Sequence, residues 1–240
     1  MSGHSKWSTI KRQKGAADVK RGAAFTKISN AITIAVKQGG GIGDPDQNPR
    51  LRLAIELARS ANMPKDNIER AIVRATSKEA GDLTELTYEG FAPGGVSVLV
   101  EAVTDNTNRT TSEVKSLFNK SGASFAGPGA VAYQFDQTGE IAVIKNGKSI
   151  DDIFLLAAEL GATDVEDRGE EVAVYTEVSD LSKIKEGLTS QGFEITGAEI
   201  SRKPKNTMSV GEEQKEKIVN FLSALEDMDD VQKVYSNVSL

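Results

Sequence analysis

The sequence predicts an α+β multidomain chain: an N-terminal three-helix domain followed by two ferredoxin-like α/β domains, one inserted in the other. Three observations carry that expectation. Apolar residues recur at spacings of three and four as far as Ala75, and at a spacing of two from Val96 onward. Residues 141–201 read strand, helix, two strands, helix, strand, the order of the split-βαβ unit. Charge also divides where the period changes. Residues 1–80 hold 15 Lys and Arg against 7 Asp and Glu, whereas residues 81–240 hold 14 against 28.

The first helix is expected from Ala17, with Phe25, Ile28, Ile32 and Ala35 on one face, and Gly39-Gly40-Gly41 ends it. A second begins near Pro49, a residue suited to a first helical turn, and carries Leu51, Ala54, Ile55 and Ala58. Asn62-Met63-Pro64 breaks it, read as a turn plus a helix cap, and Ile68, Ala71, Ile72 and Ala75 mark a third helix. These narrow, alanine-rich faces suit close packing in a small bundle. Ser77 to Leu86 reads as a linker, and Tyr88 to Gly95 as a structural turn. Val96–Val103 is a strand, Arg109–Lys120 a helix and Ala130–Phe135 a strand.

The self-contained set then has strands at Ile141–Lys145, Val165, Val172–Thr176 and Phe193–Ser201, with helices at Ser149–Leu160 and Leu181–Gln191. A short strand at Thr207–Val210, a helix at Glu212–Leu225 and a strand at Val231–Tyr235 supply the half that the earlier β-α-β lacks. The expected division is 1–80, a discontinuous 81–136 plus 205–240, and an inserted 137–204.

Composition excludes several functions. Without cysteine there is no disulfide, thiolate zinc site or cysteine nucleophile, and with His4 alone no site can use two imidazoles. Ser112, Thr110 and Thr111 have no histidine base. The carboxylate clusters Asp151-Asp152, Asp164 to Glu171 and Glu226 to Asp230 read as solvated acidic faces without calcium-loop spacing. No apolar run approaches the ~20 residues of a membrane helix. The expectation is therefore a cytoplasmic protein that is not an enzyme and carries no metal or cofactor.

The basic end points elsewhere. Met1 to Lys37 carries eight basic side chains against one acid, Asp18. Lys6, Trp7, Lys11, Arg12, Lys14, Lys20 and Arg21 interleave cations with an aromatic, which suits phosphates and base stacking. Five such charges on a duplex would give a log–log salt slope of about −4.5. Arg50 and Arg52, at the start of the second helix, form an anion-site candidate, weighed equally against solvated surface residues. The polar run Thr104 to Thr111 places Asn106, Asn108 and Arg109 on a candidate nucleic-acid surface, with part of its polarity explained by helix capping. The third helix offers few side chains able to read base edges, and no helix-turn-helix is expected. The acidic α/β sheets would suit a basic protein partner.

These residues also carry a resemblance. Gly3-His4-Ser5-Lys6-Trp7, the Lys11 to Lys14 cluster, Asn48-Pro49-Arg50-Leu51-Arg52, Asn62-Met63-Pro64-Lys65-Asp66-Asn67, Tyr88-Glu89-Gly90, Pro93-Gly94-Gly95 and Thr104-Asp105-Asn106 with Asn108-Arg109-Thr110 resemble the YebC/PmpR family. Its mitochondrial relatives include the translational activator of cytochrome c oxidase. The one departure is Thr107, where the family pattern leads one to expect arginine. The resemblance implies a cytoplasmic, non-enzymatic regulator of gene expression. It is either a DNA-binding transcriptional regulator, by the family's customary label, or a translation factor on the ribosome. A basic arm on an acidic body favours ribosomal RNA on physical grounds, while the label keeps DNA in place. Oligomeric state is not legible.

Overall fold

The computed structural model describes residues 19–77 and 83–239. Three helices come first: α1 (Val19–Gln38), α2 (Pro49–Ser60) and α3 (Lys65–Thr76). Helix α1 packs against both others, and Ile28, Ile32, Ala35, Val36, Leu51, Ile55, Ala58, Ile68, Ala71 and Ala75 form one core. The small alanines on all three helices permit this close approach, as their spacing predicts.

The central unit has strands β1 (Thr84–Ala92), β2 (Val96–Thr104) and β3 (Ser124–Ala126), with helix α4 (Thr107–Lys120) between β2 and β3. Its sheet order is β3-β1-β2-β9, all antiparallel, where β9 (Val231–Ser236) follows helix α7 (Glu212–Glu226) near the end of the chain. Helices α4 and α7 cover one face: Val114, Phe118, Ile218, Phe221, Leu222 and Leu225 pack on Tyr88, Val98, Val100 and Val234.

Between β3 and α7 runs the second unit: β4 (Phe135–Ile144), α5 (Ile150–Leu160), β5 (Asp164–Asp167), β6 (Glu171–Thr176), α6 (Leu181–Ser190) and β7 (Glu194–Pro204). Its order, β5-β6-β4-β7, is that of a ferredoxin-like sheet. A separate pair, β8 (Met208–Ser209) and β10 (Val238–Ser239), runs parallel.

Four expectations change. The linker and turn from Ser77 to Gly95 give way to strand β1 from Thr84 to Ala92, with a hairpin at Pro93-Gly94-Gly95 whose two glycines both have positive φ. The end of the chain therefore supplies only one helix and one strand to the central sheet; β1 supplies the other missing strand. The strand expected at Ala130–Phe135 is a short 3₁₀ turn (Ala132–Gln134) followed by β4, which begins at Phe135 and runs unbroken past the expected boundary at 136. The acids from Asp164 to Glu171 are not all solvated. Arg168, with its side chain 7% exposed, lies 2.6 Å from Glu140 and 2.9 Å from the Tyr175 hydroxyl, and that hydroxyl donates to Glu166 at 2.9 Å.

Burial explains why β1 reads as a turn in the sequence. Its Gly90 is required because a Cβ there would overlap the Phe118 ring and crowd the Ser124 carbonyl oxygen. Its Glu89 is buried, and its carboxylate accepts backbone N–H bonds from Gly129 (2.6 Å), Val131 (2.6 Å) and Ala132 (2.8 Å). That grip folds residues 129–132 over the helix-free face, where Val131 and Phe135 join Leu99 and Tyr235 in a small core. Burial alone would raise the Glu89 carboxyl, but the backbone donors outweigh it and hold it below the usual carboxylate range.

Glu89→Gln should lower stability in urea titrations by about 2 kcal/mol, the scale of a charge-assisted hydrogen bond, and should expose the Gly129 and Val131 amides to hydrogen exchange. A depressed native pKa makes this contribution complete above the unfolded glutamate value of about 4.3. It is lost as pH falls through the native value, so the gap between wild type and variant should close in acid.

Candidate nucleic-acid interface

The residues of the basic arm, Lys6, Trp7, Lys11, Arg12 and Lys14, lie outside the described residues, as does His4. Lys20 and Arg21 fall in the first turn of α1, with side chains outside those described.

The Asn48-Pro49-Arg50-Leu51-Arg52 motif is a structural knot. Asn48 caps α2 by accepting the Leu51 N–H at 3.1 Å, and its amide donates to the carbonyls of Ala35 (2.9 Å) and Ile42 (3.0 Å). It is buried so tightly that a Cβ on Gly39 would overlap its side chain. Arg52 donates to the carbonyls of Pro45 and Asp46, both at 3.1 Å, and Arg50 bonds Gln38. The helix N-terminus is thus already capped, and both guanidinium groups already have neutral acceptors.

The corner between β2 and α4 shows similar engagement. Asn106 caps α4 by accepting the Arg109 N–H at 3.1 Å, while Asn108 is exposed. Arg109 reaches Asp230 at 2.8 Å and Asp105 at 3.0 Å, and one Asp230 oxygen also accepts from Thr104 (3.0 Å) and Thr110 (2.5 Å). Burial would raise Asp230, but Arg109 and the two hydroxyls hold it below the usual range. The Asp230 hydrogen bond in turn raises Arg109. The corner therefore ties α4 to the turn between α7 and β9.

The structure also brings together residues that no sequence motif marks. Between α1 and α3 lies a groove of about 410 Å³ floored by Phe25, Met63 and Ala71 and walled by Thr26, Asn30, Asn67, Arg70 and Arg74. Arg70 and Arg74 stand one turn apart on the exposed face of α3. Among the described residues neither has a carboxylate partner; Arg70 donates only to the Asp66 carbonyl and the Asn67 side chain. Helix α3 therefore does carry cations with amides beside them. The signal is the i, i+4 arginine pair, obscured in the sequence by the acids Asp66 and Glu69 on the same helix.

Family models describe the same two parts of the chain. The TACO1/YebC N-terminal domain matches residues 5–78, and the TACO1/YebC second and third domain matches residues 83–238. The chain belongs to the TACO1/YebC family. Similar proteins named "Probable transcriptional regulatory protein" include one from Rubrobacter xylanophilus, 46% identical over 242 residues, covering 100% of this chain and 96% of the relative. Another, from Trichlorobacter lovleyi, is 48% identical over 241 residues with the same coverage. The crystal structure of a conserved hypothetical protein, Aq1575, from Aquifex aeolicus superposes with a TM-score of 0.85 at 44% identity, over 92% of this chain and 91% of that one. The α+β architecture is thus that of the TACO1/YebC family.

The corner geometry makes Arg109 decisive. Arg109→Ala should lower stability slightly, because Asp230 then loses its cationic partner. It should flatten the salt slope of polyanion binding by less than the about 0.9 expected for full removal of a phosphate-binding charge. Chemical denaturation and a binding titration across a salt series measure the two effects.

Proposed function

We propose that this chain is a non-enzymatic cytoplasmic regulator of gene expression that binds DNA through its helical unit. The observation that carries the reading is the Arg70–Arg74 pair beside Asn30 and Asn67: cations without carboxylate partners among the described residues, next to neutral donors, in the unit that also bears the basic arm. Lys6, Trp7, Lys11, Arg12, Lys14, Lys20 and Arg21 supply further contacts, their charges pairing with phosphates and Trp7 stacking on bases. Arg50, Arg52, Asn106, Asn108 and Arg109 form its periphery, contributing less because the three arginines and Asn106 already hold partners. The acidic α/β units repel the duplex and so orient it toward the helical end. The names of the relatives favour a transcriptional role over ribosomal RNA, the other polyanion such an arm would suit.

The test is a mobility shift with DNA from upstream of candidate target genes, with excess bulk DNA as competitor and a salt series, beside sedimentation with ribosomes. Arg70→Glu with Arg74→Glu, and Lys11→Glu with Arg12→Glu and Lys14→Glu, should each weaken DNA binding at least tenfold. Each should also flatten the salt slope by about 0.9 for every phosphate that is no longer neutralised. Binding indifferent to both sets would overturn the proposal. Binding to ribosomes but not to DNA would replace the transcriptional reading with the translational one.

A further inference from the structure

Helix α5 is apolar on two sides. Its inner side is core: Ile153 and Ala157 are fully buried against the β4-β6 sheet, and Leu160 meets α6 where Gly187 leaves room, a Cβ there lying 2.7 Å from the leucine. Its outer side carries Phe154 at 50% exposure and Leu155 at 62%, two adjacent large apolar side chains on a single exposed turn. Asp151 one turn before and Ala158 one turn after complete an exposed stripe at i, i+3/i+4 and i+7. Adjacent exposed apolar side chains rimmed by polar ones are what an interaction surface presents.

The charge around the stripe restricts what can cover it. Asp151, Asp152 and Glu159 are exposed on the helix, which has no basic residue of its own. The nearest preceding lysines are already engaged, Lys145 with Asp167 at 2.7 Å and Lys148 over the Phe193 ring at 3.5 Å. Nucleic acid and anionic lipid headgroups are repelled by this rim. A second copy docking the same face would set acidic rim against acidic rim. A cationic amphipathic helix meets both requirements at once, with apolar residues on Phe154 and Leu155 and Lys or Arg on the three carboxylates.

We propose that the outer face of α5 is a docking site for a lysine- or arginine-rich amphipathic helix of a partner protein. The site lies on the inserted unit and does not depend on which nucleic acid the helical unit binds. A regulator held on its polyanion through the helical unit would thereby engage a basic protein through the inserted unit.

The probe is a fluorescein-labelled amphipathic Leu/Lys helix, titrated by anisotropy against the full-length protein at about 0.15 M salt. A sequence-scrambled peptide of equal charge serves as control. The amphipathic helix should bind at least tenfold more tightly than the scrambled one. Phe154→Ser with Leu155→Ser should abolish that difference, and Asp151→Lys with Asp152→Lys should weaken binding at least tenfold. Glu212→Lys with Glu213→Lys, on acidic α7, should leave it unchanged. Equal binding of the two peptides, or equal weakening by the α7 variant, would show charge attraction alone and overturn the proposal. So would self-association in sedimentation that disappears with the serine variant, which assigns the face to a second copy, or serine-sensitive binding to vesicles of phosphatidylcholine and phosphatidylglycerol.

Discussion

The α/β body depends on one long-range pairing, that of β9 with β2. Strand β2 is the most buried of the described strands and cannot stand at a sheet edge; β1 covers one side of it and β9 the other, in register from Val98↔Ser236 to Glu101↔Lys233. Over 120 residues separate the two strands, so the contact carries a loop-closure cost. The inserted unit limits that cost by its own topology. It enters on β4 and leaves on β7, which are antiparallel neighbours with Phe135 opposite Pro204, and the Lys205 N–H continues the ladder to the Gln134 carbonyl at 2.8 Å. An insertion whose ends meet leaves the host sheet as close to closure as a short loop would.

Two sutures reinforce the pairing, and one of them uses residues whose motif suggests a binding surface. The Asp230 carboxylate gathers Thr104, Arg109 and Thr110, fixing the start of α4 to the start of β9. At the other end of the strands, the Asn237 side chain accepts the Ser97 N–H at 2.9 Å and its backbone donates to the Ser97 carbonyl at 3.2 Å. The same economy of contact ties the units together: Arg202 with Glu101 at 3.1 Å, Lys233 with Glu199 at 2.9 Å, and Lys185 with Glu56 at 2.5 Å, beside Leu53 of α2 packed on the core of the inserted unit.

What is legible in the sequence follows from which signals are local. The inserted unit is readable because each of its elements buries one face, so its periodicity announces it: Ile141 and Val143, then Ile153 and Ala157, then Val172 and Val174. Strand β1 is not, because two of its defining residues are set by distant partners. Glu89 is inside only because residues 129–132 supply donors, and Gly90 is a glycine only because Phe118 packs there. The interface divides in the same way. Arg50, Arg52 and Arg109 stand in conspicuous motifs, but their acceptors are carbonyls and carboxylates brought in from other segments. Arg70 and Arg74 stand in no motif, and only the packing of α3 on α1 places them beside Asn30.

Among the described residues, the conspicuous polar motifs therefore serve mainly to hold segments in place within each unit, and that changes how the charge asymmetry works. Where cations and acids meet within the α/β body they are matched, as in Arg168 with Glu140 or Lys145 with Asp167, and matched pairs leave little field beyond a Debye length of about 10 Å. The field that remains comes from charges that have no opposite partner among the described residues. At the helical end these include Arg70 and Arg74; on the inserted unit they include the carboxylates along α5. Because the units are tied by ion pairs and shared core, these oppositely charged surfaces have a fixed relation to each other. A polyanion and a cationic partner can then be held by one body without competing for the same residues.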